Sequence, residues 1–292
     1  MIINKATLAA LFIGFNAAFK GGFQRVTNEW ETVATLVPSS TSENQYAWLG
    51  QFPQIRKWVG DRVVRNMEAH SYTIKNDPFE STIAVPKATI EDDQFGVFNT
   101  MFDDMGYAAA AHPNELVFGL LAAGFTTTCF DGQYFFDTDH PVGTGVVSNM
   151  QAGAGNPWFL MDTRRPLKPI IFQRRRPYEF KSMTSGEDEA VFMRDEFRFG
   201  VDARVNVGFG FWQQALGSKA ALDAANFNAG VAAMQAFLSD EGRPLGIRPN
   251  ILVCGPTNRA AALEVVKAER NAAGATNINQ GAVEVVQVPW LT

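Results

Sequence analysis

Along residues 197–211, FRFGVDARVNVGFGF, apolar side chains take every odd position: Phe197, Phe199, Val201, Ala203, Val205, Val207, Phe209 and Phe211. The even positions hold Arg198, Asp202, Arg204, Asn206 and three glycines. A period of two puts one set on a buried face and the other toward water or a partner. A strand of this length would span roughly 50 Å at about 3.3 Å per residue, where ordinary strands run about five or six residues. A compact chain of 292 residues has a diameter of about 50 Å, so the strand would cross the whole subunit. The alternative is two shorter strands meeting at a bend near Gly200 or Gly208. Both arrangements imply a flat, extended molecule, which suits a structural tile better than an enzyme wrapped around a pocket.

Other stretches keep a helical period. Leu8, Leu11, Phe12, Phe15 and Phe19 fall at i, i+3, i+4, i+7 and i+11, the stripe of an amphipathic helix. The stretch carries Asn16 and runs into Lys20-Gly21-Gly22 without a cleavage site, which argues against a signal peptide. No segment is expected to reach the length needed to span a bilayer. A mixed segment with Trp30, Tyr46 and Trp48 follows, an arm able to fold onto its own body or reach a neighbour. Tyr72 and Ile74, then Asn76-Asp77-Pro78, then Phe79, Ile83 and Val85 predict a half-buried, projecting β-hairpin.

From Ile90 a helix is predicted, with Glu91, Asp92 and Asp93 at its N-terminus. Phe95, Phe98, Phe102, Met105 and Ala109 form its seam. His112-Pro113 should interrupt it before Leu116, Leu120 and Ala123 continue to a cap at Gly124. Residues 142–157 read as a flexible loop. Short apolar runs at 158–161 and 169–172 precede Arg174-Arg175-Arg176, and Glu187-Asp188-Glu189 separates these from the long strand. Beyond Ala215 comes a helix with Phe227, Val231, Met234 and Leu238, then a strand at 251–254. A helix with Leu263 and Val266 and a strand at 283–288 complete a small α/β subdomain.

Composition narrows the possibilities. Apolar content of 46% with 24 Phe and 6 Trp supports a real core and excludes wholesale disorder. Net charge is −5 with no long basic block, which argues against a sequence-reading nucleic-acid binder. It remains compatible with a container whose wall should not adhere to its contents. Cys129 and Cys254 lie far apart without metal spacing, as free thiols in a reducing cytoplasm would.

Chemistry is thinly represented. Gly143-Thr144-Gly145 and Gly208-Phe209-Gly210 lack the setting of a phosphate-binding loop. Cys129 with Asp131, Asp137, Asp139 and His140 could form a nucleophile, base and orienting carboxylate. No glycine-supported nucleophile turn surrounds Cys129, and Phe125 and Phe130 suggest burial, so a structural role is preferred. Asp137-Thr138-Asp139-His140 offers metal-ligand types, but the chain has only three histidines. An Asp-rich turn bonding its own backbone is preferred there. No catalytic, cofactor or metal residue is therefore assigned.

At D-G-Q-Y-F-F-D-T-D-H-P (131–141) the chain resembles the Mu-like phage major head subunit, the gpT family. Y-A-W-L-G-Q-F-P (46–53), W-V-G-D-R (58–62), H-S-Y-T-I-K-N (70–76), F-E-S-T-I (79–83) and I-E-D-D-Q (90–94) also fit. So do E-L-V-F-G-L-L-A-A-G-F (115–125), R-P-L-K-P (165–169), V-F-M-R-D-E (191–196), G-V-D-A-R-V-N (200–206) and G-R-P-L-G-I-R-P (242–249). By that resemblance, relatives usually continue past a final Pro-Trp-Leu, whereas this chain stops at Thr292.

The resemblance implies an α+β, Hong Kong 97-type (HK97-like) capsid fold. Its parts would be an N-terminal arm (1–57), an extended loop (58–90), a peripheral domain with a spine helix and long strands (91–214), and an axial domain (215–292). It implies hexamers and pentamers closing an icosahedral head around double-stranded DNA, assembled in bacterial cytoplasm and carried in the virion. Scaffold, protease, portal and cementing proteins are the implied partners, with no membrane and no cofactor. Candidate intersubunit contacts are Phe12, Phe15, Trp30, Trp48, Lys75, Phe79, Arg174, Arg175, Arg176, Glu187 and Glu189. The competing readings are an encapsulin-like nanocompartment shell and a cysteine hydrolase using Cys129 and His140.

Overall fold

The computed structural model describes residues 5–49, 72–92, 97–271 and 273–291. The apolar stripe at 8–19 belongs to a longer helix, α1 (Lys5–Gln24), with Phe15 and Phe19 buried. Contrary to expectation, residues 6–24 are long and apolar enough to cross a membrane by length and composition. Phe15 and Phe19 of this stretch are taken up inside the subunit instead. Next come α2 (Trp30–Val33), β1 (Ala34–Pro38), β2 (Glu43–Gln45), β3 (Thr73–Lys75), β4 (Asp77–Pro86) and α3 (Lys87–Asp92). Residues 58–71 of the expected extended loop, and Phe95, lie outside the described residues.

The long helix α4 (Val97–Ala123) runs unbroken for 27 residues with Pro113 inside it, so His112-Pro113 does not divide it. Its buried face passes from Phe102, Met105 and Ala109 to Pro113, Val117 and Leu121, with Phe118 beside them. Steps of four carry the face one position beyond the predicted Leu116 and Leu120, which are half-buried. Packing along that face outweighs the backbone hydrogen bond that proline cannot make.

Residues 142–157, expected as a flexible loop, contain the end of β5 (His140–Val142), all of β6 (Gly145–Val147) and β7 (Met150–Gln151). Gly143, with φ +57°, turns β5 into β6. Then follow β8 (Trp158–Met161), β9 (Ile170–Met183), α5 (Glu189–Arg194), β10 (Glu196–Phe209) and β11 (Ala215–Ser218). Last come α6 (Ala224–Gln235), β12 (Ile251–Cys254), α7 (Arg259–Val266) and β13 (Glu284–Gln287).

The alternating segment is one continuous strand of 14 residues, β10, with Phe197, Phe199, Val201, Ala203, Val205 and Phe209 buried. It lies between β9 and β4, antiparallel to both, in a four-stranded sheet ordered β1-β9-β10-β4. Neither Gly200 nor Gly208 breaks it. The register slips between Asp202 and Val205, where β9 supplies extra residues around Arg175 and Pro177. Proline fits there because β1 pairs only with residues 170–174, leaving the rest of β9 as an edge.

The predicted hairpin does not form. β3 pairs with β2, while β4 pairs with β10 from Asp77 to Pro86. Asn76 is the cause: it is 1% exposed, and its amide donates to Ser39 Oγ at 2.9 Å and to the Thr41 and Ser42 carbonyls. Its Oδ1 accepts from Gln173 Nε2 at 2.9 Å. These distant partners make it a corner between two sheets, where a hairpin would leave it in water.

α1 crosses α4 over the long sheet at glycines. A Cβ on Gly22 would lie 1.8 Å from the Asp103 carbonyl oxygen, and one on Gly106 2.0 Å from that of Phe19. Phe15 packs on Phe102 at 4.4 Å and edge-on to Phe199 at 5.3 Å between ring centroids. A second sheet, ordered β13-β12-β8-β11-β7, holds the larger core, with β8 and β12 wholly buried. Two of its strands, β7 and β8, precede Ala215, so the predicted α/β subdomain is completed by earlier residues. α6 starts at Asp223, whose carboxylate accepts from the Asn226 amide, and buries Phe227 and Met234. Leu238, predicted on its stripe, lies past its end at 41% exposure.

Candidate functional site

The sequence-predicted contact residues fall into two groups. Phe12 stacks on Phe180 at 5.6 Å, Phe15 lies in the α1–α4 core, and Trp30 packs on Phe172 at 4.7 Å. Phe79 meets His112 edge-on at 4.5 Å. All four are packed within their own subunit. Trp48 is 41% exposed, and Lys75, Arg174, Arg175, Arg176, Glu187 and Glu189 are exposed. β9 runs on to Met183, so no turn brings the arginines back to Glu187 and Glu189. Arg176 instead pairs with Asp202 of β10, which Lys181 also reaches at 2.8 Å. Arg174 and Arg175 make no ion pair among the described residues.

Sequence reasoning missed the short helix between β9 and β10. Phe192 is 80% and Met193 70% exposed, with Met183 close in sequence. Their run, Ala-Val-Phe-Met, reads as core by composition. Only its setting between Glu189 and Arg194 signals a surface turn.

The structure does bring Cys129, Asp131 and His140 together. Cys129 opens a tight turn in which Gly132, at φ +87°, lets the Gly132 amide reach the Cys129 carbonyl at 3.2 Å. Asp131 Oδ1 accepts from Cys129 Sγ and from the Gln133 amide, both at 3.1 Å. Its Oδ2 lies 2.8 Å from His140 Nδ1. The His140 ring is fully buried and stacks on Trp212 at 4.0 Å. Its Nε2 faces Asn149 Oδ1 at 3.1 Å.

Burial pushes the Cys129 thiol far above its ordinary range, and the Asp131 charge adds to this. For Asp131 itself burial pulls upward, but bonds from His140 and Cys129 outweigh it and hold the carboxyl below its usual value. The thiol therefore faces a carboxylate, and the imidazole faces that same carboxylate. A nucleophile needs its base alongside and a path for substrate. Cys129, 5% exposed, lacks that path. Asp137 accepts from the Tyr134 and Thr138 amides, as an Asp-rich turn should.

Comparison with known proteins decides what these surfaces serve. The family described as Mu-like prophage major head subunit gpT matches residues 8–291. The chain belongs to this family. It is 42% identical to the Mu-like prophage FluMu major head subunit of Haemophilus influenzae, over 90% of this chain and 89% of that one. It is 38% identical to the major capsid protein of Escherichia phage Mu over the whole of both chains. A subunit of the bacteriophage JBD30 procapsid superposes with a TM-score of 0.87 at 48% identity, covering 99% of this chain and 100% of that one.

This major head subunit thus has the HK97-like capsid fold, self-assembles into a capsid shell, and is part of a phage virion. These relatives are phage or prophage head proteins, which favours neither a nanocompartment nor a hydrolase. For a major head subunit the functional site is its exposed surface.

Proposed function

We propose that this major capsid subunit forms hexamers and pentamers that close an icosahedral shell around double-stranded DNA in a bacterial cytoplasm, and that it has no catalytic turnover. The observation that carries this reading is the superposition on the JBD30 procapsid subunit over nearly the whole of both chains. The net charge of −5 suits a wall that must not hold DNA tightly. In this reading residues 1–57 act as the arm, 58–90 as the extended loop, 91–214 as the peripheral domain and 215–292 as the axial domain. Scaffold, protease, portal and cementing proteins act with it during assembly. Trp48, Lys75, Arg174, Arg175, Glu187 and Glu189 are its proposed contacts with neighbours.

Negative-stain microscopy of the purified chain tests this. Closed shells of uniform size are expected, and a chain that stays dispersed at every concentration counts against it. Cys129→Ser should assemble like the parent with no hydrolytic activity to lose. A measurable activity that disappears on that substitution would overturn the non-enzymatic reading.

A further inference from the structure

The buried cluster behind the 129–133 turn places two acceptors face to face. Asn149 donates its amide hydrogens to the carbonyls of Phe135 at 2.8 Å, Ala215 at 3.2 Å and Trp212 at 3.4 Å, which fixes the orientation of its side chain. Its Oδ1 accepts from the Asp137 amide at 2.9 Å and faces His140 Nε2. Nε2 must therefore carry a hydrogen. In a neutral ring, Nδ1 then presents its lone pair to Asp131 Oδ2 at 2.8 Å, and both atoms are acceptors. Something positive has to lie between or beside them. A proton can do this, and so can a metal ion.

We propose that Cys129, Asp131 and His140 form a binding site for one divalent transition-metal cation of the zinc type. Their ligand atoms, Sγ, a carboxylate oxygen and Nδ1, all lie within 4.8 Å of one another. A thiolate, an imidazole and a carboxylate form a donor set that suits zinc and excludes hard cations such as magnesium and calcium. The supporting contacts are in place. The Nε2 hydrogen is held by Asn149, and the ring is fixed against Trp212, as metal-bound imidazoles require.

Charge balance also favours the exchange. Without metal, the ring, the carboxylate, the one proton between Nδ1 and Oδ2 and the thiol sum to zero. With metal, the cation replaces that proton and the proton on Sγ, and the sum is again zero. A buried site therefore accepts the ion without gaining net charge, which would be costly there. The ion would clamp the 129–133 turn to β5 and, through Asn149, to the chain entering β11. Its role would be to hold these segments of the subunit together.

Cobalt(II) as a spectroscopic probe and zinc itself test the site on the purified full chain. Retention of one cobalt per chain after dialysis is expected, with a thiolate-to-cobalt charge-transfer band. Zinc addition to the unbuffered protein should release two protons per ion bound. Cys129→Ser should lose the band, whereas Cys254→Ser, which alters a thiol buried in β12, should keep it. Failure of the folded parent chain to retain cobalt overturns the proposal, as does a band that survives in Cys129→Ser. Should Cys129→Ser fail to fold, the parent chain decides alone, because metal uptake without proton release excludes a thiolate–imidazole site.

Discussion

Gly22 and Gly106 set how closely α1 and α4 can approach, because the atoms that a Cβ would meet are backbone oxygens that cannot move aside. Gly106→Ala or Gly22→Ala should cost about 1–3 kcal/mol by overpacking, read as a lower denaturant midpoint. Gly14 and Gly119 sit in the same two helices with nothing within 4 Å of an added Cβ. Alanine at those positions should leave the midpoint unchanged or raise it by about 0.5–1 kcal/mol through helix propensity. A second residue-scale prediction concerns Asp162. Its carboxylate accepts from the Arg164 amide, Nε and guanidinium nitrogen and from the Arg248 amide, at 2.7–3.2 Å. Burial raises its pKa, but these donors outweigh burial and hold it below the ordinary 3.8. Its contribution is thus complete above 3.8 and is lost as pH falls through the lower folded value. Urea titrations across the acid range should show a downward slope that Asp162→Asn flattens.

At the scale of elements, Phe102 of α4 joins helix to sheet. It is fully buried, with Phe15, Phe199 and Phe180 at ring-centroid distances of 4.4, 5.0 and 5.7 Å. Phe102→Ala should destabilise the subunit by about 3–5 kcal/mol in equilibrium unfolding. The partnership was half legible in the sequence. The stripe of α1, the first half of the α4 stripe (Phe102, Met105, Ala109) and the alternation of β10 named buried positions, because burial imposes the period directly on the chain. Past Pro113 the α4 stripe fell one position short. The elements misread were those governed by distant partners. Asn76-Asp77-Pro78 has the composition of a turn, yet Asn76 answers to Gln173, 97 positions away. Pro113 obeys the packing of its helix face over the local rule. Near the Cys129 cluster, spacing suggested that thiol and imidazole could meet. Trp212, 63 positions past Asn149, could not be inferred from any local pattern.

For the whole molecule, the exposed residues gain meaning from self-assembly. Arg175 lies in the irregular part of β9, exposed and without an ion pair among the described residues. Arg175→Glu should reduce shell yield while leaving the subunit's circular dichroism and melting unchanged. Glu187→Arg or Glu189→Arg should recover assembly only if those carboxylates are its partners across the boundary. Normal yield from Arg175→Glu would remove it from the contact surface. Deleting residues 1–24 is a harsher change than loss of an arm, because it uncovers Phe102, Phe180 and Phe199 within the same subunit. Both the melting temperature of the subunit and shell closure should fall in that truncation.

The glycine crossing also has a consequence in time. α1 is synthesised before anything it packs against. At about 5–20 residues per second, Gly106 follows Gly22 by roughly 4–17 s, and Phe199 comes later still. Until then Phe15 lacks Phe199 and Phe19 lacks Phe180, in a segment whose hydropathy alone could pass for a membrane span. The nascent chain thus races against any factor that captures apolar helices at the ribosome. Slow codons between the two glycines would lengthen that exposure and lower the yield of folded subunit, with the finished fold unchanged.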